Sequence, residues 1–200
     1  MSIQTYAELK TSVSNWLHRD NLATYIDDLI TVGEKWIFRK ARTRDMETSM
    51  SVSITSGAAT IPADFVALKH AYIDGTPIGK LDIRPASWVY SQYTNRSDST
   101  KPTTIAVEGS NFIFGPWGGS SYTLKGTYYK RLAAVSVSAN ALFLANPDLY
   151  LFATLAETEP FLKNDKRIAL WAAKRDQILF DVNGEDQSSR SGNDMQVRLG

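Results

Sequence analysis

The residues of this chain that could do chemistry are few, and their spacing does not suit it. Glu157 and Glu159, with Asp148 and Asp165 near them, are the carboxylates from which a glycosidase acid and base would be drawn. That reaction needs a carboxyl group on either side of the scissile bond. Residues two apart on a helix point in different directions, so a solvated helix face explains the two glutamates more simply. His18 and His70 are the only histidines and lack H-E-x-x-H or similar spacing, so a metal site would rest on carboxylates alone. There is no cysteine, which removes thiolate nucleophiles, disulfides and cysteine-based metal sites together and fits a reducing cytoplasm. Residues 115–121 read Gly-Pro-Trp-Gly-Gly-Ser-Ser but lack the Gly-Lys-Ser or Gly-Lys-Thr ending of a phosphate cradle, and are predicted to be a hairpin turn. No Gly-x-Ser-x-Gly elbow is present. The expectation is no catalysis, no metal and no cofactor.

Two groups suit binding instead. Arg39, Lys40, Arg42 and Arg44 cluster at the end of a helical pattern. Cations there are favourable by ~0.3–1 kcal/mol apiece, so they can simply serve the helix dipole. They can also meet an acidic partner surface or a DNA backbone, with salt dependence and no reading of sequence. The second group is a strip, Met195, Gln196, Val197, Arg198 and Leu199, in which apolar and polar residues alternate. Such a strip can add to another protein's sheet edge. Residues 183–194 before it are Gly, Ser, Asn, Gln or charged, a composition that predicts a flexible C-terminal arm over 183–200. Fully extended, that arm would reach on the order of 60 Å. A frayed terminus is the alternative.

The elements that must carry these groups follow from periodicity. Thr5 and Glu8 have capping-box spacing, and Leu9, Val13, Trp16 and Leu17 continue a helix to about His18. Thr24, Asp27 and Asp28 open a second helix with the stripe Ile26, Leu29, Ile30, Gly33, Trp36 and Ile37. From Thr48 the period changes to two, and strands are predicted near residues 50–54, 65–73, 78–81, 103–107, 111–114 and 121–130, with a short helix over 86–93. Asn146-Pro147-Asp148 starts a third long helix, to about Lys163, and Ile168, Trp171, Ile178 and Leu179 mark a fourth that stops before Asn183-Gly184. The fold class expected is α+β: a four-helix-type bundle from helices in 5–45 and 147–182, an antiparallel β insertion over 46–133, and the arm. Residues 1–182 would form one domain, since single apolar stripes must be buried against each other.

The 22 basic and 21 acidic residues nearly cancel, which weakens a general nucleic-acid-binding reading. Trp88, Tyr90, Tyr93, Trp117, Tyr122, Tyr128 and Tyr129 are expected in the core or at a subunit interface, because Lys and Arg are not interleaved with them as a base-stacking face requires. No window approaches the ~20 apolar residues that cross a bilayer and no leader pattern opens the chain, so no membrane partner is expected.

Several stretches, in order, resemble one protein family. They are the helix from Tyr25 to Arg42 with Glu34 before its basic end; Ala59-Thr60-Ile61-Pro62-Ala63-Asp64-Phe65; Lys101-Pro102-Thr103; and Phe112-Ile113-Phe114-Gly115-Pro116. The return strand from Leu124 to Tyr129, Asn146-Pro147-Asp148-Leu149-Tyr150-Leu151-Phe152-Ala153 and Phe161-Leu162-Lys163-Asn164-Asp165 follow. Together they are similar to the head-to-tail adaptor, or connector, proteins of short-tailed bacteriophages, tail-gatekeeper rings included. The resemblance implies a virion protein at the head–tail junction, made in the host cytoplasm. It implies a ring homo-oligomer, usually a dodecamer, docked between the portal protein and a tail nozzle or tail-tube protein, with double-stranded DNA only as passing cargo. The strip from Met195 to Leu199 would then anchor to the portal, and the basic cluster would face acidic portal residues, because a tight phosphate grip in the channel would oppose ejection. The alternatives are a tail-tube or gatekeeper ring lower in the tail and, with Glu157 or Glu159 as acid, a virion peptidoglycan hydrolase.

Overall fold

The structure, a computed structural model, describes residues 3–18, 22, 24–95, 100–118, 122–158, 162 and 165–190, with backbone alone for 186–190. The chain divides into two compact units, Met1–Asp45 with Leu132–Gly200, and Met46–Arg131.

The first unit is helical: α1 (Tyr6–Leu17), α2 (Ile26–Lys40), then, after the second unit, α4 (Ala141–Ala145), α5 (Pro147–Ala156) and α6 (Arg167–Arg190). The capping box at α1 forms as its spacing predicts. The Thr5 hydroxyl accepts from Glu8 N, the Glu8 carboxylate accepts from Gln4 N and Thr5 N, and the Gln4 bond first, with Thr5 second, holds its carboxyl below the usual range. At α2 the Thr24 cap does not form. The N-cap is Tyr25, without a side-chain bond, and Asp27 is instead used sideways, accepting from Tyr6 Oη at 2.7 Å and pairing with Lys10 of α1.

The expected bundle of four single-striped helices gives way to an arrangement centred on α5, which packs against α1, α2, α4 and α6. Leu149, Tyr150, Leu151, Ala153, Thr154 and Leu155 are all buried, so α5 is apolar all round and not along one stripe. It is also shorter than predicted. Glu157 N and Thr158 N turn back to Thr154 O and Leu155 O, and Pro160 in the sequence removes a donor that a longer helix would need. Conversely, α6 passes the expected stop before Asn183 and reaches Arg190. Asn183 Oδ1 accepts from the Arg42 backbone N–H at 3.0 Å, a tertiary tie that offsets the ~1 kcal/mol helix cost of Gly184. The predicted arm over 183–200 is thus helical as far as Arg190, and residues 195–199 lie outside the described residues.

The second unit holds β1 (Glu47–Ser53), β2 (Ala58–Thr60), β3 (Phe65–Ile73), β4 (Gly79–Lys80), β5 (Asp82–Ile83), α3 (Ala86–Gln92), β6 (Thr104–Glu108), β7 (Asn111–Gly115) and β8 (Thr123–Lys130). They form two four-stranded sheets, β1-β8-β3-β4 and β2-β7-β6-β5. Met50, Ile73, Leu124 and Tyr128 from the first, with Ile54 just after β1, meet Ala59, Ile105, Phe112 and Phe114 from the second in one core. Ile113 and Ala106, on the other face of the second sheet, are covered by Val89 of α3. Burial on both faces explains the unbroken run Phe112-Ile113-Phe114.

Two sequence expectations change here. The β region is antiparallel except where β5 pairs with β6 in parallel, Asp82 opposite Thr104. Here α3 is the crossover that a parallel pair requires. Residues 115–121 do not turn a hairpin either, because β7 and β8 belong to different sheets. The stretch carries the chain from one sheet to the other, and its Trp117 lies over Gly57, at φ +70, where a Cβ would stand 2.2 Å from the indole. Gly57 supplies both the left-handed turn and the space for the ring.

Candidate interaction sites

The structure separates the four basic residues by role. Arg42 turns back on its own helix, its Nη1 donating to Ala41 O at 2.6 Å and Phe38 O at 3.3 Å. It thereby satisfies carbonyls at the end of α2 that have no intrahelical partner. Lys40 Nζ lies 4.4 Å from the Trp36 ring centroid, and the Arg175 guanidinium of α6 lies 3.7 Å from the same centroid. Arg175 also donates to Asp176 and, at 3.5 Å, to Glu157. Trp36 thus joins α2 to α6 through the Arg175 contact, while Lys40 lies over it from the same helix, each contact worth ~0.5–1 kcal/mol or more where water is excluded. Arg39 and Arg44 are exposed, Arg39 on the last turn of α2 and Arg44 on the short 3₁₀ turn that follows. So Arg42 serves the end of its own helix and Lys40 lies over Trp36, whereas Arg39 and Arg44 stand exposed.

This division is testable. Arg42→Ala should cost about 0.5–1 kcal/mol of stability through its lost hydrogen bonds. The exposed pair Arg39→Ala/Arg44→Ala should stay within ~0.5 kcal/mol of the parent in a thermal melt. Their substitution should instead flatten the salt dependence of binding to an acidic partner, as measured by titration at several ionic strengths.

The other sequence candidates fall apart. Glu157 is engaged by Arg175, Asp165 is gripped by the Nε and Nη2 of Arg167, and Asp148 accepts from Leu149 N. Glu159 lies outside the described residues. His18 is the left-handed C-cap of α1, while His70 stacks on Tyr72 in β3. Among the described residues, no three His, Asp or Glu side chains gather as metal ligands, and no helix is long and apolar enough to cross a membrane.

The sequence reading did not foresee a buried polar group at the centre of the helical unit. Glu34 sits in the apolar stripe of α2, 6% exposed, and its Oε1 accepts from Val135 N at 2.9 Å. Its signal was visible as an acid in register with Ile30, Gly33 and Ile37. Burial pushes its carboxyl above the usual carboxylate range, and the Val135 bond opposes this only in part. A folded-state value raised above the unfolded one contributes stability that is full below the unfolded value and is lost as pH rises through the folded value. Glu34→Gln retains an acceptor for Val135 without the charge. Its melting temperature relative to the parent should therefore climb between pH 4 and pH 8; a difference that shrinks over that range would contradict the account. Glu8, Asp27 and Asp74 act in the opposite sense, since their lowered carboxyls lose stability as pH falls.

An α+β chain of a helical unit and an inserted β unit, with exposed arginines beside a packed helix end, is here a structural adaptor, a bacteriophage virion component. The chain belongs to the SU10 adaptor protein family, whose profile matches residues 4–198. No curated protein matches it.

Proposed function

We propose that this chain forms an adaptor ring at the head–tail junction of the virion, joining the portal to the tail and continuing the DNA channel. The observation that carries this reading is the family match, which runs through both units and into the strip from Met195 to Leu199. In this reading the ring has twelve copies, and residues 1–182 are the adaptor domain. The terminal strip adds as a strand to the portal, Arg39 and Arg44 face acidic portal side chains, and a tail nozzle or tail-tube protein docks below. Ring symmetry lets each contact be modest, because every copy repeats it and one copy leaves only by breaking several contacts. The protein has no catalytic part in this assembly, and DNA passes it without being read.

The test is to mix purified protein with the portal ring of the same virus and image the product, using the full chain and a version ending at Arg190. Rings seated under the portal with the full chain only are the expected result. Equal docking by the shortened chain would remove the strip from the interface. A full chain that ignores the portal but joins tail proteins would place the ring lower in the tail.

A further inference from the structure

Helix α6 carries apolar residues on two opposite sides. On one side Trp171, Ile178 and Leu179 are buried and Ile168 and Val182 half-buried, and this side packs within the helical unit, where α6 meets α5. On the other side Leu170, Ala173, Gln177, Phe180 and Gly184 follow at steps of three, four, three and four, and all five are exposed. Leu170 is 68% and Phe180 77% exposed, large apolar side chains with nothing over them. At ~3.6 residues per turn these five form one row along the helix, about half a turn from the buried side. Packing on one core requires a single apolar row, and a second row at heptad spacing is the seam by which a helix meets another helix. The charges flanking the bare row are Lys174 and Asp181 on one side of it and Asp176 on the other, all exposed. Among the described residues, neither Lys174 nor Asp181 is in an ion pair within its own chain.

These charges select the α6 helix of a second copy, and they select its direction. Two parallel α6 helices in register would set Asp176 across from the second copy's Asp181 on both flanks, and like charges there repel. Reversing one helix brings the same flank of each copy face to face. Lys174 then meets the second copy's Asp181, and the two-fold axis repeats the pair with the roles exchanged. The same register sets Gln177 against the second copy's Phe180, and Ala173 against the second copy's Gly184, two small residues that let the helices approach closely. Asp176 comes opposite the second copy's Asn183, which is uncharged. In this register Arg167 of one helix lies level with the second copy's Arg190, so the two helices coincide from end to end over ~36 Å. The charged pair, the bare row and the helix length therefore agree on one alignment.

We infer that two free copies of this chain pair through the bare sides of their α6 helices, antiparallel, with Lys174 facing the second copy's Asp181. This goes beyond the ring reading: a two-fold contact closes with two copies and does not propagate round a ring, so it belongs to subunits that have not yet docked. The test follows sedimentation of the full chain over a range of concentrations, with Lys174→Asp, Asp181→Lys and the double variant beside it. Both positions are exposed, so the variants should melt with the parent. The parent should dimerise. Each single reversal sets like charges face to face at both pairs and should weaken the dimer about tenfold. The double reversal should restore it, and so should mixing the two single variants, because each then offers the charge that the other lacks. A parent that is monomeric at every concentration would overturn the pairing. Dimerisation that ignores both reversals would place the contact on another surface, and weakening that neither the double variant nor the mixture repairs would overturn the antiparallel register. Portal docking is untouched by any of these failures, since it is read by imaging with the portal present.

Discussion

Gly33→Ala should lower the melting temperature of the helical unit by about 4–8 °C, the shift that ~2 kcal/mol produces in a chain of this size. In an exposed helix the same change would stabilise by ~1 kcal/mol, because alanine is the better helix former. Here a Cβ at position 33 would stand 2.9 Å from both Ala153 C and Thr154 N, so the obstruction is the backbone of α5 and not a side chain that can rotate away. Relief requires α2 and α5 to separate, and overpacking of that kind costs ~1–3 kcal/mol or more. The sign of the effect is therefore the decisive reading. A Gly33→Ala protein that melts higher than its parent would show that α2 and α5 do not approach as described. Gly33→Val should be worse still, since a β-branched side chain brings more bulk and less helix propensity.

The second large effect is expected at Asn140. Its Oδ1 accepts from Phe143 N at 2.9 Å, capping α4, and from Tyr150 Oη at 3.1 Å, while its Nδ2 donates to Ala133 O at 2.9 Å. Tyr150 is 1% exposed and burial holds its hydroxyl well above the ordinary tyrosine range, so that hydroxyl needs this acceptor. Asn140→Ala removes the cap, ~1 kcal/mol, and leaves the Tyr150 hydroxyl buried without a partner, a further ~1–3 kcal/mol. The loss should thus be ~2–4 kcal/mol by denaturant or thermal unfolding. Tyr150→Phe supplies the control, because it removes the group that would be orphaned. Asn140→Ala should cost only about 1 kcal/mol in the Tyr150→Phe background, and additive losses in the double variant would contradict the coupling.

These two positions show which parts of the molecule local pattern reaches. Gly33 was legible as a member of the α2 stripe, yet its stripe neighbours gave no sign that a backbone would press against it. Asn140 was passed over altogether, since a lone asparagine before Ala-Leu-Phe-Leu-Ala carries no period long enough to announce a helix. The strands around Phe65–Ile73, Thr104–Glu108, Asn111–Gly115 and Thr123–Lys130 were readable from alternation and turn residues, as was α3. β2 and the parallel β5, of three and two residues, were too short to show any period.

The candidate site divides in the same way. Composition excluded cysteine chemistry, and the ordered short stretches led to the adaptor family that the match over residues 4–198 shows. That much the sequence determined alone, because residue types and local spacing need no partner to be read. What Arg42 engages beyond its own helix was decided only by the tertiary structure. Arg175 and Asn183 come from α6, far in the chain from Trp36 and Arg42, and their packing brings the Arg175 guanidinium over the Trp36 ring and ties the Arg42 backbone N–H to Asn183. The same holds for the end of α6 and for its bare side. A helix end or a bare helix side is set by what packs beside it, and those neighbours are distant in sequence.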